Sequence, residues 1–200
     1  MKIVAITMMR LYEPTRQEWR DALDQRWAAL LQACGLLPLY LPNQADVAEV
    51  LLRQANPAGV IFSGGGDCSA ISGQQDARDL TEARALGWAL EQAKPVYGVC
   101  RGMQAVLGHF GAVPLPVSGH VATRHPVSLN HSAVNVNSFH HYGYRDIPPG
   151  FSATGLTADG FIEAVSDAQR DVHLVMWHPE REERAMAHDI QMIKHIFGAE

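Results

Sequence analysis

Apolar and polar positions alternate along the first half of the chain in two distinct rhythms. Residues 2–8 form a short apolar run rich in Ile and Val, the mark of a buried strand. Leu23, Trp27, Leu30, Leu31 and Cys34 then recur at helical spacing, and Gly35 is placed to end that helix. Residues 36–41 read as a second strand, and Val47, Val50 and Leu51 mark a second helix. A third strand over 59–62 runs into Ser63-Gly64-Gly65-Gly66-Asp67, followed by a helix face of Leu80, Ala83, Gly87 and Leu90. Residues 95–99 form a fourth strand and 101–110 continue as a helix. Strands that are apolar throughout, alternating with helices, predict an α/β fold: an open, mostly parallel sheet covered by helices on both faces.

The rhythm changes after Gly111. Residues 112–177 break into short β-like segments separated by Pro and Gly, which predicts a small antiparallel β extension. The last strand spans 173–177, and a final helix carries Met186, Ile190, Ile193 and Phe197. No linker or repeat interrupts the pattern, so residues 1–200 read as one domain.

Composition narrows the function classes. Lys and Arg number 16 against 21 Asp and Glu, a net charge of −5, and the cations are scattered. Neither nucleic acid nor an anionic membrane surface is an expected partner. No apolar stretch reaches the ~18 residues that span a bilayer, and the opening residues lack a signal-peptide cleavage site. Three cysteines with no close pair argue against a disulfide framework and predict a reducing, cytoplasmic setting.

One of those cysteines has a special context. Gly98-Val99-Cys100-Arg101-Gly102-Met103-Gln104 sits where a buried strand turns into a helix. That is a nucleophile elbow with Cys in place of Ser. The helix N-terminus favours a thiolate there. Cys34 lies on an apolar helix face and reads as core; Cys68 follows the glycine loop and is not expected to take part in chemistry. Thiolate attack on an amide needs a proton carrier. His178, just past the last strand, lies at the sheet edge that Cys100 should occupy, with Glu180 two residues on to orient it. The oxyanion needs pre-aimed N–H donors. The backbone N–H of Arg101 is one candidate and the Gly64–Gly66 loop the other. Such a loop could also cradle a phosphate, although no Gly-Lys-Ser/Thr follows it.

The elbow string resembles that of class I glutamine amidotransferases and their γ-glutamyl hydrolase relatives of the peptidase C26 type. Val175-Met176-Trp177-His178-Pro179-Glu180 is similar to their His-Pro-Glu segment, and Val136-Asn137-Ser138-Phe139-His140-His141 to their Asn-Ser-x-His-His segment. The resemblance implies a flavodoxin-like fold and a Cys100–His178–Glu180 triad. It also implies an oxyanion hole from Gly65 or Gly66 with Arg101, and substrate contacts from Gln104, Asn137, Ser138 and His140. Arg101, Met176 and Tyr142 depart from the common pattern of an apolar residue, Gln and Gln. Cys100-Arg101-Gly102 and Met176-Trp177-His178, with Ile-Thr-x-x-Arg-Leu at 6–11, resemble the branch that hydrolyses γ-glutamyl-CDP-amidate in the making of surface-polysaccharide phosphoramidate. The product would be CDP-phosphoramidate plus glutamate.

Such a substrate has an anionic nucleotide tail. Arg10, Arg101 and Arg124 are the expected contacts, since guanidinium suits forked binding of carboxylate or phosphate. The alternatives are a γ-glutamyl-γ-aminobutyrate-type hydrolase, a glutaminase subunit feeding a separate synthase, and a non-catalytic binding module. A homodimer is open as well. No cofactor is expected. His120, His125, His140 and His141 raise the question of a metal, but show no close spacing on a clear scaffold, so none is expected.

Overall fold

The computed structural model describes residues 1–129 and 132–199. The first strand, β1 (Lys2–Thr7), is followed by a hairpin of β2 (Met9–Glu13) and β3 (Glu18–Ala22). Then come α1 (Arg26–Ala33), β4 (Leu36–Leu41), α2 (Ala45–Ala55), β5 (Val60–Phe62), α3 (Ser69–Ser72), α4 (Ala77–Glu91), β6 (Val96–Val99) and α5 (Arg101–His109). The second half holds β7 (Leu115–Pro116), β8 (Val121–Leu129), β9 (Ser132–Phe139), β10 (Tyr142–Gly143), β11 (Ser152–Thr157), β12 (Ile162–Asp167) and β13 (Val172–Val175). A 3₁₀ turn (Pro179–Arg181) and α6 (Ala187–Ile196) follow.

Nine strands form one sheet in the order β4-β1-β5-β6-β13-β12-β11-β8-β9. The first five are mutually parallel, and β12, β11, β8 and β9 add on antiparallel. The expected extension therefore prolongs the main sheet. Every residue of β5 and β6 is buried although successive side chains point to opposite faces, so both faces of the sheet centre are covered. Helices α2, α4 and α5 pack in succession, while α1 lies on β4 and α6 on β6. Cys34 is fully buried in this core, and burial pushes its thiol up to about 11.

Two details depart from the periodicity. Helix α1 begins at Arg26 and not near Leu23, where the Asp24 carboxylate accepts the Arg26 N–H at 2.9 Å. The β2–β3 hairpin gives no core-facing stripe, because Leu11, Tyr12 and Trp19 stay about half exposed. Tyr12 packs on Trp19, and the Arg10 guanidinium lies 3.5 Å over the Trp19 ring.

Candidate active site

At the carboxyl edge of the parallel strands, β6 turns directly into α5 through Cys100. The backbone there is at φ +51°, ψ −106°, a conformation an L-residue holds only under constraint from its surroundings. Two contacts supply the constraint. A Cβ on Gly102 would come 2.0 Å from the Phe62 carbonyl oxygen, so only glycine lets α5 approach β5 this closely. The Cys100 N–H donates to the Val175 carbonyl at 2.8 Å, pinning the elbow to the end of β13.

That register brings in the next group, because His178 is three residues beyond Val175. Trp177 anchors the intervening segment by donating its indole N–H to Asp189 on α6 at 2.9 Å. His178 and Glu180 are both buried, and their Nδ1 and Oε1 lie 2.6 Å apart. Burial alone would lower the imidazole pKa. Hydrogen bonds to Cys100 and Glu180, and the negative charge those groups carry, outweigh it and raise the value to about 9. Cys100 and His178 share a cleft of about 140 Å³ with Gly65, Gly66, Gln104 and His140. This arrangement can hold a thiolate beside a protonated imidazole whose far nitrogen is fixed by a carboxylate.

The glycine loop follows β5. Gly65 and Gly66 have φ of +90° and +77°. Arg78 holds the loop by its carbonyls, donating at 2.7 Å to Ser63 O and Gly65 O and at 3.3 Å to Gly64 O. With the carbonyls so engaged, the N–H groups of the loop remain as donors. Arg78 also pairs with Glu82 at 2.8 Å, and Glu82 pairs with Arg101, which reaches Asp79 at 2.8 Å. Burial favours the neutral acid at Glu82, but Arg78 and Arg101 overcome it and hold the carboxyl below its usual range.

The sequence pattern of the peptidase C26 family matches residues 2–113 and 117–180 of this chain. The chain belongs to the peptidase C26 family. It is 28% identical to the γ-glutamyl-CDP-amidate hydrolase of Campylobacter jejuni over 98% of this chain and 97% of that protein. It is 30% identical to the protein NtpR of Enterococcus hirae over 76% of this chain and 78% of NtpR. The crystal structure of a Thermoplasma acidophilum protein, provisionally assigned to GMP synthase, superimposes with a TM-score of 0.73 at 18% identity, covering 100% of this chain and 94% of that one. The fold is thus of the class I glutamine amidotransferase type, and the family is one of amide-bond hydrolases. Among the described residues, no helix is long and apolar enough to cross a membrane.

The residues singled out from the sequence fall into three groups. Cys100, His178, Gly65, Gly66, Gln104 and His140 line the cleft, with Glu180 directly behind His178. Gln104 donates to the Tyr142 carbonyl at 3.0 Å, which turns its amide along the cleft wall. Asn137 and Ser138 belong to the scaffold beneath. Asn137 bonds the backbone of His178, and the fully buried Ser138 hydroxyl donates to the His120 carbonyl at 2.6 Å.

The expected arginine contacts need correction. Arg101 is buried and its side chain locked to Glu82 and Asp79, so only its backbone N–H remains a candidate for the cleft. Arg10 lies on the hairpin, over Trp19 and 3.9 Å from Asp76. Arg124 pairs with Glu182 at 2.9 Å and donates to the Asn135 carbonyl at 2.8 Å. Neither Arg10 nor Arg124 lines the cleft. The arginine that does is Arg181, which packs 4.7 Å over Phe139 with its Nε 3.7 Å from Glu180. Its position directly after His-Pro-Glu was the one available signal. Arg78 and Glu82 also escaped the sequence reading. Asp79 closes a capping box with Asp76, and Arg78 turns inward to the glycine loop.

Proposed function

We propose that this protein hydrolyses a γ-glutamyl amide through a Cys100 thioester. The observation that carries the reading is the 2.6 Å contact of Glu180 with His178, in a cleft that His178 shares with Cys100. The Cys100 sulfur attacks the γ-carbonyl carbon, and the carbonyl oxygen gains the negative charge. The N–H groups of Arg101 and the Gly65–Gly66 loop stabilise that oxyanion. Protonated His178 donates to the leaving nitrogen, the C–N bond breaks, and a glutamyl thioester remains. His178, now neutral, takes a proton from water, and the resulting hydroxide attacks the thioester and releases glutamate. Glu180 orients the ring throughout. The attacking sulfur is the thiolate of a cysteine outside any disulfide, which fits a reducing cytoplasm.

Within this class we favour γ-glutamyl-CDP-amidate as substrate, giving CDP-phosphoramidate and glutamate for surface-polysaccharide biosynthesis. Support comes from the likeness to the Campylobacter enzyme over nearly the whole of both chains, and from Arg181 at the cleft, a cation suited to a diphosphate. The test is glutamate release from γ-glutamyl-CDP-amidate, γ-glutamyl-γ-aminobutyrate and glutamine, side by side. The nucleotide substrate should give the highest kcat/KM. Faster turnover of γ-glutamyl-γ-aminobutyrate would replace the leaving group. Preference for glutamine, stimulated by a copurifying synthase, would make the protein a glutaminase subunit.

A further inference from the structure

Beside the cleft, four side chains from three strand regions converge. His120 precedes β8, His125 lies on β8, His140 follows β9, and Glu163 lies on β12. One nitrogen or oxygen from each falls within 4.8 Å of all the others. His120 Nδ1 is 3.3 Å from His140 Nε2 and 3.3 Å from Glu163 Oε1. His140 Nε2 is 3.1 Å from Glu163 Oε1, and His125 Nε2 is 3.6 Å from Glu163 Oε2. Glu163 is fully buried, and among the described residues neither of its oxygens has a hydrogen bond of good geometry.

The outward nitrogens settle what the inward ones offer. His120 Nε2 faces the Asp159 carboxylate at 3.1 Å, and His140 Nδ1 faces the Tyr142 carbonyl at 3.1 Å. Both outer partners are acceptors, so in the neutral rings both outer nitrogens carry the hydrogen. The inner nitrogens then present lone pairs to each other and to the Glu163 carboxylate. A ring of acceptors around one point repels itself unless a cation sits at its centre. Neutral imidazole with its second N–H held by a carboxylate or carbonyl is the arrangement found around metal ions. Donors bound at about 2.0–2.2 Å in a tetrahedron lie roughly 3.3–3.6 Å apart; the closest pairs here lie at 3.1–3.6 Å and all within 4.8 Å.

We propose that His120, His125, His140 and Glu163 bind one divalent transition-metal ion, with zinc the best match to three imidazoles and a carboxylate. Four protein ligands close the coordination sphere, so the role is structural. The ion joins β8, the end of β9 and β12. It also stiffens the cleft wall through His140 and the Tyr142 carbonyl that Gln104 engages. The Glu163 carbonyl accepts the Met176 N–H at 2.8 Å, which links the same cluster to the segment leading to His178. His141, weighed with the others from the sequence, lines the catalytic cleft instead.

The test uses the full chain, stripped with a chelator, desalted and titrated with zinc or cobalt. After gel filtration one equivalent of zinc should remain bound. At about 100 times its Kd, zinc should raise the unfolding midpoint by roughly 5–10 °C. Cobalt should give the visible bands of a tetrahedral nitrogen–oxygen site, without sulfur charge transfer. His125→Ala and Glu163→Gln should abolish retention, and Asp159→Asn should weaken it by roughly 10–100-fold. Cys100→Ser, which removes the thiol of the adjoining cleft, should leave it unchanged. Failure of the wild-type chain to retain metal would overturn the proposal. So would retention that survives both His125→Ala and Glu163→Gln, or that is lost in Cys100→Ser. Should Glu163→Gln fail to fold, His125→Ala and the wild-type cobalt spectrum decide.

Discussion

The Asn137 side chain grips both backbone hydrogen-bonding groups of His178. Its Oδ1 accepts the His178 N–H at 2.9 Å and its Nδ2 donates to the His178 carbonyl at 2.8 Å. Asn137 is buried, so an apolar replacement would leave both backbone groups without their partner. Asn137 is therefore a positioning residue. Asn137→Ala should lower kcat by roughly 10–100-fold, the scale expected when a reacting group drifts by about 1 Å. KM should change little, because the side chain lies beneath the cleft. Steady-state kinetics separate the two; a rise in KM at unchanged kcat would return Asn137 to direct substrate binding.

Arg101 makes a different prediction from the one its sequence position invited. Removing it leaves Asp79 without its cation and Glu82 with Arg78 alone. Breaking a buried pair in this way costs about 3–5 kcal/mol. Arg101→Ala should thus shift the denaturant midpoint sharply downward, and any folded fraction should keep a near-normal KM. Asp79→Asn combined with Arg101→Met should recover part of the loss, since Glu82 keeps Arg78 and Asp79 is the carboxylate left without its cation. A stable Arg101→Ala protein with greatly raised KM would restore the substrate contact.

The acid–base prediction follows from His178. Its folded-state pKa is raised from 6.5 to about 9. The protonated ring and the interactions it makes with Cys100 and Glu180 persist below that value and are lost as pH rises through it. Under the proposed mechanism kcat/KM should hold through pH 8 and fall with an alkaline limb near 9. Glu180→Gln removes one of the two groups that raise the pKa, so the limb should move to lower pH. A pH–rate profile of both proteins checks this; an unmoved limb would assign it to another group.

Much of this layout was legible in the chain. Residues of β1, β5 and β6 are apolar on both faces, and strands of that kind declare themselves as continuous runs. Cys100 between Gly98 and Gly102, and His178 before Pro179-Glu180, carry local signals strong enough to locate the cleft. The β2–β3 hairpin was hidden because its large side chains pack on each other at the surface and leave no core-facing stripe. Arg101 was misread because its partners lie on another helix, at Asp79 and Glu82. The histidine cluster was illegible for a similar reason. Its fourth member, Glu163, arrives from β12, which the sheet order separates from β8 by β11, so no local pattern joins it to the histidines.

Substrate choice should depend on Arg181. One charge-assisted contact to an anionic tail contributes about 1.5–3 kcal/mol. Arg181→Gln should therefore cut kcat/KM for γ-glutamyl-CDP-amidate by roughly 10- to 150-fold. Glutamine has no tail, so its turnover should fall much less. Equal losses for both substrates would show that Arg181 acts through its neighbour Glu180.

The central claim is the covalent role of Cys100, and rapid-quench intact-mass analysis during turnover of γ-glutamyl-CDP-amidate tests it most directly. The wild-type chain should gain the mass of one glutamyl group, mapped to the peptide containing Cys100. Cys100→Ala should gain none and should lose at least about 10³-fold in kcat. Near-normal turnover in Cys100→Ala, or an adduct on another residue, would contradict the account.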